Sequence, residues 1–150
     1  MVTTRQISVF LENKPGRLAN VLRALEKQKI NITGMTVMDK HEHSVLRLVP
    51  DNAVQAAKVM QSLNTPFTES DVLLVELRNQ PGALAHVCEN LAGGHISIEY
   101  AYCSSGGRNG KVYGIFKVSN LDKAQRLLNE SPSSRRLEKR ALRDQRIYKK

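Results

Sequence analysis

Two short turns carry the residue types best suited to bind a small polar ligand. They are Asn13–Gly16 and Asn79–Gly82, and each has asparagine first, proline third and glycine fourth. Proline fixes φ and glycine lacks a Cβ, so a ligand can approach the main chain where the following helix leaves its first N–H groups unpaired. Those donors suit a carboxylate, and an asparagine amide can serve both an ammonium group and a carboxylate. The turns therefore suit a zwitterion, although a single turn of this kind is more often only a strand-to-helix connection.

The two turns belong to an internal repeat. A second pattern, Ile30–Ile32, returns as Ile96–Ile98, and both patterns recur at an offset of 66 residues. Two different patterns at one offset indicate a duplicated module of roughly 65 residues, which is too long for a solenoid repeat. The middle residue of the second pattern is Asn31 in the first copy and Ser97 in the second. The change from an amide to a hydroxyl weakens the second candidate site.

Composition restricts the class of protein. The chain has 150 residues, of which 41% are hydrophobic and 25% are charged, and this is typical of a soluble globular protein. No apolar run reaches the ~20 residues that a membrane span needs. Only Cys88 and Cys103 are available, so neither a disulfide framework nor a Cys-x-x-Cys metal site is expected. We therefore expect a cytoplasmic protein that does not interact with a membrane.

The positive charge is concentrated at the carboxyl end of the chain. The overall net charge is +9, and residues 133–150 contribute +6 of it. A basic terminal segment is more often a solvated tail, or the exposed side of a strand or helix, than a specific nucleic-acid surface. The charge alone therefore does not favour a nucleic-acid-binding function.

Each copy has the same order of predicted elements. In the first copy, residues 6–12 alternate as a strand, a helical stripe follows the turn, and two strand patterns form a hairpin over 30–49. A second helix then precedes a short strand at 64–68. The second copy begins with a strand at 72–77 and repeats this order, but no clean fourth strand follows Leu128.

This order predicts an α+β fold of two ferredoxin-like βαββαβ units in tandem, with antiparallel sheets and the helices on one face. Because each unit is small, we expect the two sheets to join or to stack. We place the first unit at residues 1–70, the second at 71–132 and a basic segment at 133–150. Either that segment supplies the last strand near Arg146–Lys149, or the second unit is incomplete.

The turns and the strand that follows each first helix resemble the signature of ACT domains, which are amino-acid-sensing modules attached to biosynthetic enzymes. The resemblance covers Gln6 to Leu128, and the whole chain is similar to stand-alone tandem ACT proteins that have no catalytic domain. It implies that the modules pair side by side, so that a homodimer is expected. It also implies that a free amino acid binds between paired modules, held by the turn of one and the second strand of its neighbour.

The resemblance therefore places the ligand-binding residues in the two turns, at the helix starts behind them and at the starts of the second strands. These residues are Asn13, Pro15, Gly16, Arg17, Leu18, Asn31, Asn79, Pro81, Gly82, Ala83, Leu84 and Ser97.

Other candidate sites are weaker. The glycine-rich segment 105–111 departs from the Walker pattern, because Val112 stands where Ser or Thr should bind magnesium. His41 and His43 lie in a polar turn without further ligands at metal-binding spacing. No nucleophile, base and oxyanion donor can be assembled around either cysteine. We therefore expect no enzymatic activity, no cofactor and no metal.

The sequence favours a non-catalytic amino-acid-binding regulatory protein, whose ligand changes the equilibrium between quaternary arrangements. One alternative is a regulatory subunit that docks on an amino-acid biosynthetic enzyme. Another is a nucleic-acid-binding module that uses the basic tail. Binding to nucleic acid is not expected, because Tyr100, Tyr102 and Tyr113 are not accompanied by the basic-aromatic run of RNA-recognition sheets. Tyr100 and Tyr102 are predicted to share a strand face with Ile98, in the core or at an interface.

Overall fold

The computed structural model describes residues 1–104 and 111–130, and the predictions for the basic segment 133–150 lie outside this range. In chain order, the elements in the described residues are β1 (Val2–Glu12), α1 (Arg17–Lys27), β2 (Ile32–Lys40), β3 (His43–Pro50), α2 (Ala53–Ser62), β4 (Phe67–Arg78), α3 (Ala83–Gly93), β5 (Ile98–Cys103), β6 (Lys111–Val118) and α4 (Leu121–Glu130). The order of strands and helices predicted for each copy is confirmed through its second helix.

The strands form a single antiparallel sheet of six strands in the order β2-β3-β1-β4-β6-β5. Residues of one parity face the helices, because side chains alternate along a strand. On β1, Ile7 and Val9 pack in a core with α1 and α2, and on β4, Leu73 and Val75 pack in a second core with α3 and α4. All four helices therefore lie on one face, and the α+β fold of tandem ferredoxin-like units is confirmed.

The two central strands serve both units. The strands expected at 64–68 and 72–77 are one continuous strand, β4, which pairs with β1 from Val2↔Leu74 to Val9↔Phe67. The first half of β4 is the fourth strand of the first unit, and its second half is the first strand of the second unit. The boundary that we placed after residue 70 lies within β4.

The amino-terminal half of β1 occupies the position that the sequence left empty. Residues 2–5 pair with residues 71–74, beside the first strand of the second unit. In the described part of the chain, a strand from the first unit therefore completes the second unit's half of the sheet. The prediction missed this strand because the pairing joins residues about 70 positions apart, and no local pattern reports such a distance.

The antiparallel pairing of β1 with β4 places a local two-fold axis between these two strands. Arg5 and Asp71 are equivalent in the repeat, at the offset of 66, and they are also paired across the strands. The Arg5 Nε atom lies 3.2 Å from Asp71 Oδ1. The axis therefore passes through an ion pair of opposite charges.

The sheet curls strongly on the face that carries no helix, which we call the helix-free face. Tyr100 on β5 lies three strands away from Gln6 on β1, a separation of about 14 Å in a flat sheet. The Gln6 amide nonetheless donates a hydrogen bond of 2.7 Å to the Tyr100 hydroxyl. Curling therefore makes the helix-free face concave and brings its two edges towards each other.

One half of the helix-free face is closed by an apolar cluster. Val49, Val72 and Ile115 are almost completely buried in it, although they point away from the helices. Gly34 of β2 covers this cluster so closely that a Cβ at its position would lie 2.6 Å from Ile115 Cδ1. Because Gly34 has no side chain, β2 of the first unit can lie directly against Ile115 of the second unit.

This contact gives a testable prediction. Gly34→Ala is expected to lower the free energy of unfolding by about 1–3 kcal/mol, because the added methyl group overpacks a filled core. Ile115→Val removes the Cδ1 atom in question and should by itself cost about 0.5–1.5 kcal/mol. In the double variant the two costs should partly cancel, which urea unfolding of all four proteins in a double-mutant cycle would measure.

Gly93→Ala is the matched control for this cycle, since a Cβ at Gly93 would meet nothing within 4 Å. It should leave stability unchanged or raise it slightly, because alanine is the better helix former. Strictly additive effects of Gly34→Ala and Ile115→Val would show that the two residues do not press on each other.

Candidate functional site

The first predicted turn positions its main chain for an incoming ligand. Gly16 adopts a left-handed φ of 84° directly before α1, and no side chain caps this helix. The N–H groups of Arg17 and Asn20 donate to carbonyls of the turn. The intervening N–H groups of Leu18 and Ala19 have no acceptor among the described residues. These two donors at the positive end of the helix can bind an anion.

The second turn repeats this geometry. Gly82 has a φ of 83°, and α3 begins behind it without a side-chain cap. Ala83 and His86 donate to carbonyls of the turn, as their equivalents do in the first copy. By contrast, α2 is capped by Asn52, whose Oδ1 accepts from the N–H of Gln55 at 3.0 Å. Likewise, the N–H of Lys123 in α4 donates to Asn120 Oδ1 at 3.0 Å, so among the four described helices only those behind the two predicted turns have no side-chain cap.

Charged side chains surround the turns differently in the two copies. The Glu12 carboxylate lies 3.0 Å from Lys14 Nζ and 3.1 Å from Arg17 Nη2. The hydrogen bond and the charge of Lys14, and then the charge of Arg17, lower the pKa of Glu12. In the second copy the equivalent of Glu12 is Arg78. Each turn therefore carries one net positive charge, but within residues 1–104 and 111–130 an ion-pair network is found at the first turn and not at the second.

The predicted strand residues lie far from the turn of their own unit. The Asn31 N–H donates to Asp51 Oδ1 at 3.1 Å, at the base of the β2–β3 hairpin. The Asn13 N–H donates to the Glu42 carbonyl at 3.2 Å, at the hairpin tip. Strand β2 has nine residues between these ends, so Asn13 and Asn31 are separated by about 26 Å. A single unit therefore does not bring its turn and its second strand together.

The second unit follows the same plan where it is described. Ser97 donates its N–H to Ser119 Oγ at 3.1 Å and accepts from the Ser119 N–H at 3.0 Å, at the base of the β5–β6 hairpin. The turn follows Arg78, which pairs with Lys111 at the other end of that hairpin. Ser97 and the second turn are therefore also at opposite ends of their unit. The hairpin tip itself, residues 105–110, lies outside the described range.

Sequence reasoning missed a polar network at the centre of the helix-free face. Gln6 is fully buried, and its amide nitrogen donates to Tyr100 Oη at 2.7 Å and to Ser8 Oγ at 3.2 Å. The Tyr102 hydroxyl donates to Gln6 Oε1 at 2.8 Å. Burial, and then the proximity of Tyr100, raises the pKa of Tyr102 above its usual range. Gln6 lies on the face of β1 opposite to Ile7 and Val9, so the alternating pattern predicted an exposed residue and gave no signal of its burial.

The expectation that Tyr100 and Tyr102 share a face with Ile98 is wrong. The pairing of β5 with β6 shifts its register between Ile98 and Tyr100, which is a β-bulge. Because of the bulge, Ile98 packs against the core below the helices. The two tyrosines point to the opposite face, where they reach Gln6. A bulge reverses the alternation of side chains, so a strictly alternating pattern cannot predict it.

Beside this network, the helix-free face contains a cleft of about 470 Å³, which we call the polar cleft. Its walls include Ser8, Phe10, Met38, Arg47 and Tyr100. The Arg47 guanidinium lies 3.9 Å from the centroid of the Tyr100 ring. None of the predicted ligand-binding residues lines this cleft.

Within residues 1–104 and 111–130, no group of three or more His, Cys, Asp or Glu side chains is placed to hold a metal ion. No helix in the same part of the chain is long and apolar enough to cross a membrane.

Comparison with known proteins adds a family and a set of similar folds. The family model described as "ACT domain pair" matches residues 2–139. A protein of known structure from Bacteroides thetaiotaomicron is 31% identical, covers 85% of this chain and 88% of its own, and superimposes with a TM-score of 0.78. A search of curated proteins returns no match.

More distant structures share the fold alone. The regulatory subunit of aspartate kinase from Thermus thermophilus, in its ligand-free form, has a TM-score of 0.64 at 15% identity, over 87% of this chain and 95% of its own. The corresponding subunit from Thermus flavus has a TM-score of 0.57 at 16% identity, over 86% of this chain and 94% of its own.

Proposed function

This chain belongs to the ACT domain pair family, and from that premise we propose that it is a non-catalytic regulatory protein that binds a free amino acid. The observation that carries the proposal is the pair of matched turns. Each places a left-handed glycine before a helix without a side-chain cap, and in each the second and third N–H groups of the helix have no acceptor among the described residues. Such donors, together with one net positive charge at each turn, suit the carboxylate of an amino acid.

The residues divide into those that bind the carboxylate and those that bind the rest of the ligand. In the first copy, the main chain from Gly16 to Leu18 faces the carboxylate, while the exposed amide of Asn13 is available for the ammonium group. Pro15 and Arg17 hold the turn, and Asn31 contributes from a neighbouring unit. The second copy offers the equivalent residues Asn79, Pro81, Gly82, Ala83, Leu84 and Ser97.

The distance between turn and strand leads to the proposed assembly. Because Asn13 and Asn31 of one unit are about 26 Å apart, a ligand that contacts both residue types must lie between two units. We expect a homodimer, in which the edge strands β2 and β5 remain available for pairing with a second chain. We expect ligand binding in the cytoplasm to favour one arrangement of the units over another. Docking on an amino-acid biosynthetic enzyme is the alternative way in which such a change could act.

The first experiment combines the two asparagines. Asn13→Ala with Asn31→Ala should abolish the stabilisation that an amino acid produces, since both amides are exposed and bind no other residue through their side chains in the described structure. The wild-type protein should gain about 2.7 kcal/mol of stability at a ligand concentration of one hundred times the Kd. A thermal-shift panel of the twenty amino acids identifies the ligand and measures the gain.

Asn20→Ala provides the control, because Asn20 is also exposed but lies on α1, beyond the turn. It should keep the full ligand-induced shift. Both variants should unfold within about 0.5 kcal/mol of the wild type without ligand, as is usual for exposed polar truncations. An unchanged shift in the double asparagine variant would remove the turns from the proposed site.

A further inference from the structure

The local two-fold axis relates the polar cleft to the apolar cluster of the helix-free face. Ile7 pairs with Leu48, and the repeat equivalent of Ile7, Leu73, pairs with Phe116. One residue before Leu48 lies Arg47, which therefore corresponds to Ile115. By the offset of 66, Ser8 corresponds to Leu74 and Tyr100 corresponds to Gly34. The two halves of the face are thus built from equivalent positions with different residues.

The two halves have opposite properties. In one half, Gly34 lies directly on Ile115, and the cluster is apolar and closed. In the other half, the equivalent pair is Tyr100 and Arg47, whose ring and guanidinium are 3.9 Å apart, and the surface is open and polar. The closed half shows how this fold fills the position when only packing is required. The open half leaves about 470 Å³ unfilled, which is a volume typical of small-molecule sites.

The polar groups of the cleft are mostly hydrogen-bond donors. Arg47 donates to the Met38 sulfur at 2.7 Å and forms no ion pair with any carboxylate in residues 1–104 and 111–130. Ser8 accepts from Gln6, so its own hydroxyl proton remains free to donate. The hydroxyls of Thr68 and Ser70 also line the cleft. A half-buried guanidinium beside three hydroxyls is suited to a carboxylate.

The remaining walls define the rest of the ligand. Phe10 and Met38 lie at the cleft with 40% and 48% of their surface exposed, and Val45 adjoins them. Exposed large side chains in such a group suit an apolar body. Lys40 and Asp39 also line the cleft, so together with Arg47 its net charge is +1. One negative charge on the ligand would balance it.

We propose that the polar cleft binds a small monocarboxylate with an apolar body, at a site separate from the two turns. The carboxylate pairs with the Arg47 guanidinium and accepts from the hydroxyls of Ser8 and Ser70, while the apolar body contacts Phe10 and Met38. The Tyr100 ring holds the guanidinium in place from the other side. This inference does not depend on amino-acid binding at the turns.

The test uses phenylacetate as the probe and its neutral analogue phenylacetamide as the comparison. In amide-resolved NMR titrations of the full chain, phenylacetate should give saturable shifts at Ser8, Arg47 and Ser70 with a Kd of about 1 mM or lower. The amide should bind at least about tenfold more weakly, because it cannot form the charged pair. Absence of saturation by about 10 mM, equal binding of the two probes, or shifts confined to the turns would overturn the proposal.

Two arginine variants refine the assignment. Arg47→Met keeps the length of the side chain and should weaken phenylacetate binding by at least about tenfold. Arg23→Met is the matched control, because Arg23 is an exposed residue of α1 whose partner is Glu26. It should leave the Kd within about twofold. Equal affinities of both variants and the wild type for phenylacetate would exclude Arg47 as the residue that binds the carboxylate. If Arg47→Met does not fold, the wild-type titration still tests whether phenylacetate binds in the polar cleft.

Discussion

Inserting Gly-Ser-Gly-Ser between Ser70 and Asp71 is expected to unfold both units of the protein. The insertion interrupts β4 in the middle of its pairing with β1, which runs from Val9↔Phe67 to Val2↔Leu74. Each half of β4 belongs to a different unit of the sheet, so after the insertion neither core keeps its full set of strands. We expect a loss of more than about 5 kcal/mol, which is comparable to the whole stability of a small domain. Circular dichroism and urea unfolding measure it.

The same insert between His41 and Glu42 is the matched control. These residues form the turn between β2 and β3, and every strand remains continuous there. Lengthening a surface loop costs only about 0.6 kcal/mol for each doubling of its length. Similar stabilities of the two insertion variants would contradict the sharing of β4 by both units.

Gln6→Leu is expected to lower the free energy of unfolding by about 2–4 kcal/mol, although leucine has a similar size and is apolar. The substitution removes the partner of the Tyr100 and Tyr102 hydroxyls, and a polar group buried without a partner costs about 1–3 kcal/mol. Adding Tyr102→Phe to Gln6→Leu should restore part of the lost stability, because the second substitution removes the Tyr102 hydroxyl that the first leaves unpaired. Urea unfolding of the single and double variants tests both statements.

Gln28→Leu is the control for this substitution. Gln28 is exposed, and its side chain accepts one long hydrogen bond from Gln55, at 3.3 Å, and no other from the described residues. Its replacement should change stability by less than about 0.5 kcal/mol. If Gln6→Leu were equally harmless, the buried amide would not hold the curled sheet together.

The features that the sequence predicted well are local ones. The alternation in β1, the helical stripe of α1 with Val21 and Leu25, and the turn glycines each depend on a few neighbouring residues. The repeat then doubled each signal, so the order of elements and the fold class could be derived. The exposed positions of Asn13 and Asn79 also agree with a turn that is open to solvent.

The features that escaped prediction depend on distant pairings. The half-strand at residues 2–5 completes the second unit through partners at 71–74, and the curl of the sheet brings Tyr100 to Gln6. The polar cleft arises only from this curl, since Arg47 and Tyr100 lie on strands at nearly opposite sides of the sheet. Local periodicity contains no information on curvature, so the cleft could not be located from the chain alone.

The ion pair on the local two-fold axis has a consequence for the evolution of this architecture. In a symmetric dimer of identical single units, the residue on the axis would face its own copy, and two arginines or two aspartates would repel each other. Duplication within one gene removes that constraint, because the two positions can then mutate separately to Arg5 and Asp71. The pair is half exposed and contributes less than about 1 kcal/mol. Two copies of the same unit would place like charges together at this position, so the ion pair nevertheless disfavours their pairing. The two halves can therefore differ in sequence, as their equivalent positions on the helix-free face do.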